Sequence, residues 1–255
     1  MYPIPEWQER TLLMAGEAAL KRLHEAHVLV VGLGGVGAYA AEMICRAGVG
    51  TMTIVDGDVV QPGNRNRQLA ALVSTTGMKK AEVMAARLLD INPDLKLTVC
   101  SDYLRDEPLF GYASRKYDYV VDAIDTLSPK SFLIFHALQA GNRVVSSMGA
   151  GGKADPSQIR CTDISKSFQC RLASTLRKRL RRMGIETGFD VIFSTEPVWP
   201  ESVRPAENEA NKLSVAGTLS YLPPLFGCWC ASVVIRNVMA QTEAIDSPSA
   251  AIEAL

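Results

Sequence analysis

Four glycines, Gly32, Gly34, Gly35 and Gly37, follow the apolar run VLVV. A glycine-rich turn between a strand and a helix lets backbone N–H groups come close to a phosphate, and the helix N-terminus adds roughly half a unit of positive charge. Asp56 closes the next apolar run, TMTIV, 24 positions after Gly32. An acidic side chain there can accept bonds from ribose hydroxyls. These features alone fit any adenine nucleotide, whether NAD, FAD, S-adenosylmethionine or ATP. The plain alternative is a tight turn that needs glycine only for packing.

The residues that come next ask for more than a nicotinamide site. Asp58, Asn64, Arg67 and Gln68 crowd the segment DGDVVQPGNRNRQ after the second strand. Arg67 can fork onto phosphate oxygens. Lys80, at the start of the following helix, can add a point charge to the same triphosphate. Asp125, in VVDAIDT, suits Mg²⁺, which takes a few carboxylates together with phosphate oxygens and water. Asp122, three positions earlier, is read as orienting that loop. Taken singly, each charge reads as a solvated surface group; together, at the ends of consecutive strands, they read as a nucleotide site.

The pattern predicts the elements that position these groups. Strands are expected over 28–31, 51–56, 95–100, 117–122 and 143–147, and helices over 7–23, 35–47, 79–91 and 128–140. Such alternation implies an α/β fold, a Rossmann-like, mostly parallel sheet with helices on both faces. Beyond Gly149 the character changes to a C-terminal α/β extension. It has short strands at 158–162 and 190–194 around a basic helix at 168–183, then a Pro- and Glu-rich exposed loop at 196–212. The expected organisation is a single domain over 1–255, with a nucleotide-binding core at 27–150 and a substrate-binding and dimerisation extension at 151–255.

Composition narrows the partners. Lys+Arg and Asp+Glu both number 27, so a nucleic acid must be met by a local basic patch. The basic helix supplies one, with Arg177, Lys178, Arg181 and Arg182 as the candidate nucleic-acid contacts; a merely solvated face is the alternative. Tyr221 and Trp229 carry rings able to stack on a base, although core packing is the expectation for both. The six cysteines form no Cys-x-x-Cys pair, which speaks against a four-cysteine zinc site. The polar, proline-bearing start points to the cytoplasm. Residues 213–235 lack charge, but Pro223-Pro224 interrupts them. They are read as a buried or dimer-interface helix, with peripheral membrane contact the minority reading.

The motifs GLGGVG, D-x-D-x-V, N-x-N-R-Q, K-A-E-V-M and D-A-I-D resemble the ubiquitin-activating-enzyme-like (ThiF/MoeB/HesA) superfamily, which adenylates carboxylates with ATP and Mg²⁺. That resemblance implies a homodimer in which Arg10, in ERTLLMAGEAAL, reaches the partner's ATP. NRNRQ, GMKKAEVMAARLLDINP, DAIDTLSPK, GAGGKADPSQI, FSTE and GTLSYLPPLFGCWCA further resemble the tRNA threonylcarbamoyladenosine dehydratases over nearly the whole chain. The activity this implies is ATP-dependent cyclisation of the modified adenosine beside the anticodon, with Arg67, Lys80, Asp125 and Arg10 as working residues. A sulfur-transfer protein stays open as a further partner. The competing expectation is an adenylyltransferase for the C-terminal glycine of a small ubiquitin-like sulfur carrier. A nicotinamide oxidoreductase would leave Arg67 and Asp125 without a role, and a dead scaffold would not fill every charged position.

Overall fold

The computed structural model describes residues 4–102, 107–205 and 214–240. Seven strands form one sheet: β1 (His27–Val31), β2 (Thr51–Val55), β3 (Lys96–Cys100), β4 (Tyr119–Asp122), β5 (Arg143–Ser147), β6 (Ile159–Asp163) and β7 (Asp190–Ser194). Their order is β3-β2-β1-β4-β5-β7-β6, and every neighbouring pair is parallel except β6 with β7. The chain reverses direction of travel across the sheet between β1 and β4. Ligands in open parallel sheets bind outside the carboxyl ends at such a point.

Side chains alternate across the sheet with period two. Val28 and Val30 join one apolar cluster with α2 (Glu17–Glu25), α3 (Gly37–Arg46), α4 (Lys80–Ile91) and α8 (Leu222–Met239). Leu29 and Val31 join the other with α5 (Glu107–Ala113), α6 (Leu127–Gln139) and α7 (Arg171–Arg181). Both faces are therefore covered. The C-terminal segment does not stand apart: β7 extends the core sheet beside β5, and α8 crosses α3 on the first face. At that crossing a Cβ on Gly227 would lie 2.3 Å from the Val36 carbonyl oxygen, so only glycine lets the two helices come this close.

Several boundaries depart from expectation for local reasons. The helix at 7–23 is two helices, α1 (Glu9–Ala15) and α2, parted by Gly16 at φ +80°. The basic helix starts only at Arg171, because Gln169 takes a left-handed φ of 52° that no helix continues through. Pro223 and Pro224 do not interrupt a helix; they occupy the first turn of α8, where proline's missing N–H costs nothing. The loop expected over 196–212 instead begins with a buried Glu196 and includes strand β8 (Val203–Pro205), antiparallel to β9 (Ser214–Ala216). Its remainder at 206–212 lies outside the described residues. Helix α8 has the length and apolarity of a membrane span, yet half of it is buried against the protein.

Candidate active site

The glycine turn leaves β1 at Gly32, whose φ is +88° and whose Cβ, if present, would sit 2.8 Å from the Ala123 carbonyl oxygen. The backbone therefore packs directly on the loop after β4, and glycine is obligatory there. Gly34 is different. Its nearest neighbour in the direction of a Cβ is the Gln68 amide nitrogen at 3.7 Å, an ordinary van der Waals contact that leaves room for a methyl at the mouth of the turn.

Asp56 pins this turn to β2. One carboxylate oxygen accepts the Leu33 N–H at 2.6 Å and the other accepts the Asp58 N–H at 2.8 Å. Burial raises its pKa, and the nearby Lys80 and these two N–H bonds oppose the rise. Each oxygen keeps lone-pair capacity for a ribose hydroxyl. Lys80 is buried, and its ammonium meets the Asp58 carboxylate at 2.9 Å. Asp58, Val59, Gln61, Asn64 and Lys80 line a cavity of about 210 Å³. Asn64 shapes its rim by accepting the Gln61 N–H at 3.0 Å.

The NRNRQ segment closes over the turn. The Arg67 stem passes Gly35, 3.4 Å from where a Cβ would be, and its guanidinium donates to Asn66 Oδ1 at 2.8 Å and Gly63 O at 3.2 Å. Gln68 Oε1 is buried without a partner. The donor end of the Gln68 amide, Nε2, is its nearest atom to Gly34. With the Arg67 guanidinium, the Lys80 ammonium and the glycine turn, it offers the positive charge and N–H donors that fit a nucleotide phosphate group.

Asp125 follows β4 and is exposed on the loop that packs on Gly32. Asp122 orients that loop as expected, accepting the Ile124 N–H at 3.1 Å. Sequence reasoning missed Lys130, which is wholly buried. Its ammonium meets Asp122 Oδ2 at 2.7 Å and donates to Ile124 O at 3.0 Å and Ser147 O at 2.7 Å. A lysine immediately before the apolar run SFLIFHAL gave no sign of this. Among the described residues no cluster of three or more His, Cys, Asp or Glu could hold a metal. Mg²⁺ bound to a nucleotide takes only one or two carboxylates, so Asp125 remains compatible with it.

Two groups of expected residues lie elsewhere. Arg10 lines a separate surface depression of about 550 Å³ with Glu6, Trp7 and Glu9, and is absent from the lining of the cavity at Lys80. On α7 and at its C-cap, Lys178, Arg181 and Arg182 are exposed, with Arg181 pairing Glu186 at 3.3 Å. Arg177 is occupied differently: it holds the Ser167 carbonyl and hydroxyl, which removes it from the exposed basic face. Arg179 donates to Ser128 Oγ at 3.1 Å, tying α7 to the helix that follows Asp125. Tyr221 and Trp229 are not core residues; they remain 43% and 37% exposed. All six cysteines are free thiols. Burial pushes Cys45 up to about 11 and Cys161 up to about 12, the opposite of an activated nucleophile.

A seven-stranded Rossmann-like sheet with this cradle at its switch point defines a nucleotide-using α/β enzyme. The chain belongs to the ThiF family, whose model matches residues 8–251. Within it, the chain is 42% identical to the tRNA threonylcarbamoyladenosine dehydratase of Escherichia coli strain K12, over 92% of this chain and 95% of the relative. It is 36% identical to the enzyme of the same name from Bacillus subtilis strain 168, again over 92% and 95%. The crystal structure of the E. coli tRNA N6-threonylcarbamoyladenosine dehydratase in complex with ATP superposes with a TM-score of 0.83, at 38% identity, covering 93% of this chain and 97% of that one.

Proposed function

We propose that the protein is an ATP-dependent dehydratase acting on threonylcarbamoyladenosine next to the anticodon of tRNA. What carries this reading is the likeness to enzymes of that name along nearly the whole chain, at 42% identity. It takes in the C-terminal half as well as the phosphate cradle.

The threonyl carboxylate attacks the ATP α-phosphorus, pyrophosphate leaves, and an acyl-adenylate forms. The carbamoyl group of the same nucleoside then attacks the activated carbonyl, the ring closes, and AMP leaves with one former carboxylate oxygen. The substrate has thereby lost the elements of water. Because the second attack is intramolecular, its effective molarity is high and no enzyme nucleophile is needed, in keeping with the raised thiols. Arg67 and Lys80 neutralise charge that develops on the phosphates. Gly34 and Gly35 bring backbone to those oxygens, and Asp56 receives the ribose. Asp125 would hold Mg²⁺, which supplies further charge neutralisation when bound.

Lys178, Arg181 and Arg182 supply phosphate contacts for tRNA. A homodimer would bring Arg10 to the partner's nucleotide. The reaction moves no sulfur, so a sulfur-transfer partner has no step in it. The cytoplasm, where tRNA is modified and thiols stay reduced, is the compartment that suits it.

The test is mass spectrometry of nucleosides from threonylcarbamoyladenosine-bearing tRNA incubated with the protein, ATP and Mg²⁺. Loss of one water from the modified nucleoside with release of AMP is the expected result. An unchanged nucleoside beside an active control enzyme would sink the proposal and favour an adenylyltransferase for a protein carboxyl terminus.

A further inference from the structure

The motifs GAGGKADP and FSTE lie outside the phosphate cradle, and they bind each other. Lys153, 4% exposed, donates to Ser194 O at 2.7 Å and Glu196 O at 2.8 Å. Glu196, 6% exposed, accepts the N–H groups of Ala154 and Asp155, both at 2.8 Å. Burying a lysine and a glutamate is costly unless every bond is made, and a plain surface turn needs neither.

This clamp fixes the turn at 151–155, and two aromatic residues hang from it. The Tyr221 hydroxyl donates to Ala154 O at 2.7 Å, and the Trp199 backbone N–H donates to Gly152 O at 2.9 Å. Gly152 N–H in turn donates to Gly217 O at 2.8 Å. Both rings nevertheless face solvent, Trp199 at 56% exposed and Tyr221 at 43%. The clamp therefore presents the rings; it does not bury them.

The same segment abuts the cradle. Asn66, within NRNRQ, donates to Thr218 O at 3.1 Å. Pro223 lies 3.0 Å from where a Cβ on Gly35 would be. With its hydroxyl already bonded, Tyr221 offers a ligand mainly its face. An aromatic face beside a phosphate site suits an unpaired base, since stacking tolerates any π surface.

We propose that Trp199 and Tyr221, held by the Lys153–Glu196 clamp, form the stacking surface for the purine of the modified adenosine, whose threonyl carboxylate must reach the neighbouring α-phosphate. This rests on the reaction proposed above. It gives the two C-terminal motifs a common role, placing the base while the cradle places ATP.

The test uses the full chain and an anticodon stem-loop RNA carrying the modified adenosine. Trp199→Ala and Tyr221→Ala raise the KM for this RNA about five- to 150-fold, the effect of losing one stacked base, and leave the KM for ATP unchanged. Trp199→Phe and Tyr221→Phe keep a ring and stay near wild type. In a Trp7→Phe, Trp229→Phe background, Trp199 fluorescence is quenched saturably by the RNA. An unchanged RNA KM in both alanine variants, with native thermal unfolding, overturns the proposal. So does a rise in ATP KM alone, which would put the ATP adenine on the rings, or a shift from dimer to monomer mass at unchanged RNA KM, which would make them an interface. If wild-type protein converts no RNA, the reaction itself is wrong, and the fluorescence titration still decides whether these rings take a base.

Discussion

Lys130 and Asp122 meet at 2.7 Å with neither side chain exposed, beneath the loop that carries Asp125. Ser146 Oγ donates to the same Asp122 oxygen at 2.6 Å, and two backbone carbonyls take the other Lys130 protons. Removing one partner strands a buried charge, which costs about 3–5 kcal/mol, whereas removing both with apolar replacements of similar volume is often near neutral. Lys130→Met is therefore expected to destabilise by about 3–5 kcal/mol, and Lys130→Met with Asp122→Leu to recover part of that loss. Urea unfolding of the double-mutant cycle measures the coupling; purely additive losses would contradict it.

Gly32 and Gly34 belong to one turn and should respond oppositely to alanine. Gly32→Ala must place a Cβ against a fixed carbonyl at 2.8 Å on a backbone with φ +88°, so it should lower the unfolding midpoint sharply. Gly34→Ala meets nothing closer than 3.7 Å. It should fold normally but weaken ATP binding, because the methyl occupies the open mouth of the cradle. Thermal unfolding beside ATP titration calorimetry separates the two; equal effects on stability would contradict the assignment.

Much of this site was legible because it is local. The glycine turn, Asp56 and the NRNRQ segment announce themselves by residue type and spacing, since a phosphate cradle is one strand–turn–helix unit. Long-range pairing was not legible. Lys130 is explained only by Asp122 and Ser147 on two separate strands, and Lys153 only by a segment some 40 residues on. The double proline showed a break in α8, but whether it marked the middle or the start depended on Pro223 seating on Gly35. Arg177 looked like its neighbours on the basic face until Ser167 claimed it.

That distinction within α7 is measurable. Lys178→Ala and Arg182→Ala should each reduce the salt dependence of tRNA binding by about one phosphate contact, with little change in folding. Arg177→Ala should instead lower stability, because it releases the Ser167 carbonyl and hydroxyl, while leaving the salt slope nearly unchanged. Filter binding across a salt series, paired with unfolding midpoints, checks this. A reduced slope for Arg177→Ala alone would reverse the assignment.

Thiol burial sets an alkaline limit on stability. Cys45 is raised from 9.0 to about 11 and Cys161 from 9.0 to about 12 in the folded protein. Unfolded thiols ionise first as pH rises, so the unfolded state sheds protons that the folded state keeps. The contribution is fully present below pH 9 and is lost as pH climbs toward 11 and 12. Urea midpoints should fall across that window, and Cys161→Ala should flatten the fall. At neutral pH iodoacetamide should leave both thiols unmodified in native protein; rapid alkylation of either would refute its raised pKa.

Arg10 sits on α1 in a depression with Glu6, Trp7 and Glu9, apart from the cavity lined by Asp58 and Lys80. One chain therefore does not bring Arg10 to its own nucleotide cavity, and if Arg10 contributes to the reaction it does so on a second copy. In the proposed homodimer, Arg10→Ala and Arg67→Ala should each nearly abolish activity. Mixed dimers should regain activity, because one of the two sites then combines the wild-type Arg67 of one subunit with the wild-type Arg10 of the other. With half the mixed population competent at one site of two, about a quarter of wild-type turnover is the expected ceiling for random mixing. No recovery in dimers shown by mass to be mixed would place Arg10 outside the reaction. Full activity of the Arg10→Ala homodimer would do the same more directly.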